Sequence, residues 1–133
     1  LAQVFDNLGQ YNTTSIPTFL QYACIAALDQ GDDFIRTMVT RCRAARDIFV
    51  EGLSAIPGIT IAAPEGSFYL FLSVAGETDA KALAIRILRE AKVGLAPGTA
   101  FGPAGQGHLR LCFAEDVGLA REAMRRLTAF FAR

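Results

Sequence analysis

Between Gly107 and Ala114 the apolar residues Leu109, Leu111 and Phe113 alternate with His108, Arg110 and Cys112. Successive side chains of a β-strand point to opposite faces, so the spacing predicts a strand with one face in a core and one face carrying a cation. Such a strand restricts the chain to folds in which a sheet is covered on one side. An arginine stays charged in any protein setting, and its planar fork suits paired hydrogen bonds to a carboxylate or phosphate. A partly buried guanidinium needs an anionic partner. The pattern alone leaves two partners open, an internal Asp or Glu and a ligand.

The length of 133 residues, with 52% apolar and 20% charged residues, suits one domain with a true core. Thirteen basic residues balance thirteen acidic ones, so neither nucleic acid nor an anionic membrane is an expected partner. Three widely spaced cysteines and a single histidine give no metal-ligand spacing and no disulfide framework. Reduced thiols and a cytoplasmic location are expected. No signal peptide or membrane span is expected either. The chain starts at Leu1 instead of Met, which suggests processing, truncation or a further N-terminal part.

Along the chain, Leu1, Val4, Phe5 and Leu8 form an apolar cluster, and the polar residues after Gly9 read as a loop. Thr14 or Ser15 is expected to cap a helix with Pro17 in its first turn, running nearly apolar to Gly31 and covered on most sides. Asp32 or Asp33 opens a second helix to about residue 55. Phe34, Ile35, Met38, Cys42, Ala45, Phe49 and Leu53 form its apolar stripe, opposite Arg36, Arg43, Asp47 and Glu51. At 1.5 Å per residue it spans roughly 35 Å, enough to bridge two units, although an ordinary core helix fits the pattern equally.

Pro57 and Gly58 end that helix, and strands are predicted over 59–63 and 67–74, the second covered on both faces. Thr78 or Asp79 caps a third helix with Ala82, Leu83, Ile85, Ile87 and Leu88 inward. A short strand is predicted over 93–97. The glycine-rich stretch 97–107 reads as a connecting loop, since no Gly-Lys-Ser or Gly-Lys-Thr makes it a phosphate loop. After the Arg110 strand, Glu115 and Asp116 start a last helix with Leu119, Ala120, Ala123, Met124, Leu127, Phe130 and Phe131 inward. Arg125, Arg126 and Arg133 near its end suit the helix dipole. This order predicts an α/β chain of the α+β layer type, with a small antiparallel or mixed sheet packed against helices.

No catalytic constellation is visible. A nucleophilic triad would have to use His108 and lacks the Gly-x-Ser-x-Gly elbow, so a solvated or helix-facing His108 is expected. Glu65, Glu77, Asp79, Glu115 and Asp116 fall at turns and helix starts, where capping explains them. Cys112 is expected to be an inert buried thiol.

Four segments carry a resemblance. They are Ser15, Ile16, Pro17, Thr18, Phe19, Leu20 and Gln21; Pro64, Glu65, Gly66, Ser67, Phe68 and Tyr69; Val93 through Gly102; and Leu109, Arg110, Leu111, Cys112, Phe113 and Ala114. In this order and spacing they resemble the C-terminal part of the pyridoxal-phosphate-dependent aminotransferases of class I and II, with the aspartate aminotransferase fold. The resemblance implies that residues 1–31 end the large cofactor-binding domain and residues 32–133 form the small domain, including the interdomain helix. It implies that Arg110 binds the α-carboxylate of an amino acid or 2-oxo acid and that Phe68 lines the substrate pocket. The parent would be a homodimer that uses pyridoxal phosphate. The Schiff-base lysine of the family has no match here, because Lys81 and Lys92 fall in or at the end of the third helix. That lysine is expected upstream of Leu1, with no catalytic residue in this chain and no activity of the chain alone. The alternative is a free-standing α+β module that binds a carboxylate or a protein partner through the same face.

Overall fold

A computed structural model describes residues 1–14 and 16–132; Ser15 as a cap and Arg133 at the end of the last helix lie outside the described residues. The chain divides into two units, residues 1–37 and residues 38–133. The first unit holds α1 (Ala2–Asn12), α2 (Thr18–Gln30) and the start of α3 (Asp32–Ser54). The second holds the rest of α3 and then β1 (Ile59–Ile61), β2 (Tyr69–Val74), α4 (Ala80–Ala91), β3 (Ala96–Pro97), β4 (His108–Cys112) and α5 (Val117–Phe131). Two 3-10 turns, Gly98–Phe101 and Pro103–Gly105, join β3 to β4.

In the first unit the expected loop after Gly9 is instead the end of α1. The apolar spacing of Leu1, Val4, Phe5 and Leu8 is helical, and the helix continues through Gly9 until Thr13 N–H closes on the Gly9 carbonyl. Pro17 is the residue before the first turn of α2, which has no side-chain cap bond. The expectation that α2 is covered on most sides also fails: none of its residues is buried, and Leu28 is 82% exposed. A 37-residue unit made only of helices has too few apolar layers to enclose a helix that is apolar nearly all round.

The second unit is the α+β layer. Its sheet is antiparallel throughout, in the order β1-β2-β4-β3, so β4 lies inside it. Leu70 pairs with Leu111 and Leu72 with Leu109, which puts these four leucines on one face, all of them buried. Phe49 and Leu53 of α3, Leu83 and Ile87 of α4, and Met124 and Leu127 of α5 close over them. Burying one such side chain contributes about 1.5–3 kcal/mol, and this stack makes up most of the core. Asp79 caps α4 by accepting a bond from Ala82 N–H, and Asp116 caps α5 by accepting one from Gly118 N–H.

Several inward assignments differ. Phe34, Ile35 and Met38 of α3 are exposed, whereas Ala45, Phe49 and Leu53 are buried, since only the C-terminal half of α3 meets the layer. On α4 the buried stripe is Ala80, Leu83, Ala84, Ile87 and Ala91, which leaves Ala82, Ile85 and Leu88 exposed. On α5 Leu119 is exposed. Arg125 and Arg126 do not reach the last turn; both bond Glu122, three and four residues earlier. β2 starts at Tyr69 because Ser67 adopts a left-handed conformation (φ 65°), which a strand cannot contain. β3 is only two residues long, since Pro97 has no N–H to extend a ladder.

Candidate functional site

The second face of the sheet carries the side chains that alternate with the buried leucines. Residues of β2 and β4 alternate, and Phe71 pairs directly with Arg110, so Tyr69, Phe71, His108, Arg110 and Cys112 share this face. Two expectations change here. β2 is covered on one side only, with Phe71 40% exposed, and Cys112 is an exposed thiol, because the core lies on the opposite side.

Arg110 is half-buried at the centre of the face. Its guanidinium carbon lies 3.9 Å from the centroid of the Tyr69 ring and 4.0 Å from that of Phe101. Tyr69 comes from β2 on one side of β4, and Phe101 comes from the turn after β3 on the other. Both distances are well inside the range of cation–π attraction, worth about 0.5–2 kcal/mol each. Among the described residues the Arg110 side chain makes no hydrogen bond or ion pair, and the ion pairs of Asp33, Asp47, Glu77 and Glu122 go to Arg36, Arg46, Arg86, Arg125 and Arg126. Rings that stack on a guanidinium cover its faces and leave its N–H donors pointing outward in its own plane. The cation at the middle of the strand is therefore held by aromatic rings, with its donor edge uncommitted.

The glycine-rich stretch has a definite structural task. A Cβ on Gly98 would lie 2.3 Å from the Gly105 carbonyl oxygen, and one on Gly105 would lie 2.0 Å from that of Gly98. The two 3-10 turns touch backbone to backbone, which only glycine allows. Gln106 ties the end of the stretch to the segment before α4 by donating to the Thr78 carbonyl. The close approach expected of these glycines is thus made within the chain, and it sets the position of Phe101.

Phe68 is 45% exposed, and its ring centroid is 4.5 Å from that of Tyr69. It stands one ring away from Arg110, in the row Phe68, Tyr69, Arg110, Phe101. Phe68 also lines an open cavity of about 470 Å³ with Met38, Cys42, Arg43, Ser67 and Phe113, which Arg110 does not line. His108 stacks on Phe71, with centroids 5.1 Å apart and planes 13° apart, and its Nδ1 lies 2.8 Å from the Gln106 carbonyl. It packs on an aromatic ring beside the loop and has no partners for a triad. Tyr69 and Phe101 stand in the segments that carry the resemblance but were given no role at the site. The register of β2 carried a signal for Tyr69, two residues from Phe71. Nothing in the spacing pointed to Phe101, whose place depends on two glycines meeting.

The chain matches the family model for aminotransferase class I and II over residues 2–127. It is 35% identical over 130 residues to an aspartate aminotransferase of Thermotoga maritima, covering 98% of this chain and 32% of that protein. To an LL-diaminopimelate aminotransferase of Desulforudis audaxviator it is 32% identical over 114 residues, covering 86% of this chain and 29% of the relative. Among solved structures, an alanine aminotransferase from Pyrococcus furiosus superposes with a TM-score of 0.90 at 28% identity, over 98% of this chain and 34% of that one. A small antiparallel sheet packed against helices belongs to the α/β architecture of these enzymes. The chain is a member of the class I and II aminotransferase family, and it spans about a third of the length of the relatives it matches.

The family's cofactor, pyridoxal phosphate, needs an amine to hold it and donors for its phosphate. The two lysines of this chain do not meet that need beside Arg110. Lys81 is exposed on α4, and Lys92 sits at the end of the same helix in a left-handed conformation (φ 57°), both on the helix-covered side of the sheet. The described residues of the open face offer a guanidinium and no amine.

Proposed function

We propose that this chain is the substrate-clamping, C-terminal part of an aminotransferase that moves an amino group between an amino acid and a 2-oxo acid. Residues 1–31 end the large cofactor-binding domain, and residues 32–133 form the small domain with α3 as the interdomain helix. Arg110 receives the substrate's α-carboxylate on its free N–H edge, and Phe68 lines the substrate pocket a ring away. Pyridoxal phosphate and the lysine that holds it belong to the rest of the parent protein, a cytoplasmic homodimer in this reading. The 133-residue chain alone does not transaminate.

One observation carries this reading: a half-buried guanidinium stacked by Tyr69 and Phe101 with no carboxylate partner among the described residues. An arginine with a structural salt bridge would have its donors occupied. A charge-assisted bond to a carboxylate contributes roughly 1.5–3 kcal/mol, enough to fix an amino acid's orientation. The test is Arg110→Ala in the full-length protein. Affinity for amino-acid substrates should fall at least tenfold with cofactor retention unchanged; equal loss of both would reject the assigned role.

A further inference from the structure

Phe101 is half exposed and stands outside the hydrophobic core, so core packing does not account for it. Its ring has two neighbours of note. One is the Arg110 guanidinium carbon at 4.0 Å, and the other is the Phe71 ring, edge-on at 77° with centroids 6.5 Å apart. The backbone that carries it is fixed three times over. β3 pairs with β4 at Ala96–Arg110 and Pro97–Leu109, Gly98 meets Gly105 without room for a Cβ, and Gln106 is tied to Thr78. A chain segment held this firmly places one aromatic ring against one cation.

We infer that Phe101 is a positioning residue for substrate binding, whose ring, working against that of Tyr69, holds the Arg110 guanidinium so that its donor edge meets a carboxylate ligand. The inference rests on the carboxylate-anchor reading of Arg110. An arginine side chain has several rotatable bonds, and an unheld one must lose that freedom each time a ligand binds. Two rings hold the guanidinium before the ligand arrives, so the ordering is already done and binding is tighter. The stretch from Gly98 to Gly105, which resembles an ordinary connection by composition, thereby contributes to affinity without touching the ligand.

The flat π face matters here more than apolar volume, and substitutions at Phe101 can separate the two. In the full-length protein, Phe101→Leu should raise KM for a 2-oxo acid about tenfold while kcat changes much less, and Phe101→Tyr should restore KM to within about twofold. A leucine variant that binds as well as the parent, or a tyrosine variant as weak as the leucine one, overturns the inference. Arg110→Ala in the same assay keeps the two claims apart. If it leaves the preference for the carboxylate over the matching carboxamide intact, the anchor reading fails. If it abolishes that preference while Phe101→Leu leaves KM unchanged, only the positioning role fails. A measurement on the unsubstituted chain avoids any folding defect: the Nε–H NOE of Arg110 should report a rigid side chain and that of exposed Arg121 a mobile one. Equal mobility of the two would also overturn the inference.

Discussion

The two faces of one small sheet are built from the same strands and do different work. On the covered face Leu70, Leu72, Leu109 and Leu111 lie under α3, α4 and α5, in a cluster whose buried members are apolar. On the open face the positions between them carry Tyr69, Phe71, His108, Arg110 and Cys112, where rings lie against rings and against a guanidinium. The covered face holds the unit together without chemical specificity. The open face presents a half-buried cation set against two aromatic rings. Alternation along β4 lets five consecutive residues serve both ends, with Leu109 and Arg110 adjacent in sequence and opposed in role.

Substitutions on either side of β4 can break that contrast. Leu109→Ala should cost about 3 kcal/mol in urea denaturation of the chain, through lost burial and the cavity left behind. Arg110→Ala should cost no more than about 1 kcal/mol, the worth of its ring contacts. A comparable loss at the two positions would mean that Arg110 is structural. An intermediate effect, about 2 kcal/mol, is expected for Gly105→Ala, whose Cβ would press on the Gly98 carbonyl. That variant should also weaken carboxylate binding, because Phe101 must move; stability lost with binding intact would separate the loop from the open face.

The smallest effect concerns the ion-pair network on α5. Bonds from Arg125 and Arg126 hold the Glu122 carboxyl at a pKa of about 2, below its ordinary 4.5. A carboxyl lowered by folding stabilises the folded chain above its unfolded pKa, and the effect is lost as protonation proceeds. The advantage of the wild type over Glu122→Gln should therefore be complete above about pH 4.5 and vanish as the pH falls towards about 2. A difference that persists at the acid end would show that Glu122 acts by packing.

Much of the covered face could be read from the sequence. The alternation around Arg110 gave the strand, its inward leucines and its outward cation, and the acidic residues before α4 and α5 did cap them. Short segments were read less well, because turns and tertiary pairing decide their ends: left-handed Ser67 shortens β2, and Pro97 shortens β3. Apolar residues at helical spacing were all assumed to be inward, and Ile85, Leu88 and Leu119 are not, since each helix meets the sheet along a narrower stripe than its composition offers. Arg110 stood out as costly if unpaired, but spacing could not choose its partner. The proposal of a ligand partner draws on the lack of a carboxylate partner among the described residues and on Tyr69 and Phe101, which are brought in by register and by a glycine contact seven residues apart in the chain.

The central claim is that Arg110 recognises a carboxylate as such. A two-by-two comparison tests it most directly: dissociation constants of an amino acid and of its carboxamide, each for the full-length protein and its Arg110→Ala variant. The account predicts that the variant loses about tenfold or more for the acid and little for the amide, a coupling of about 1.5–3 kcal/mol. Equal losses for acid and amide, with no coupling between the guanidinium and the carboxylate charge, would contradict it.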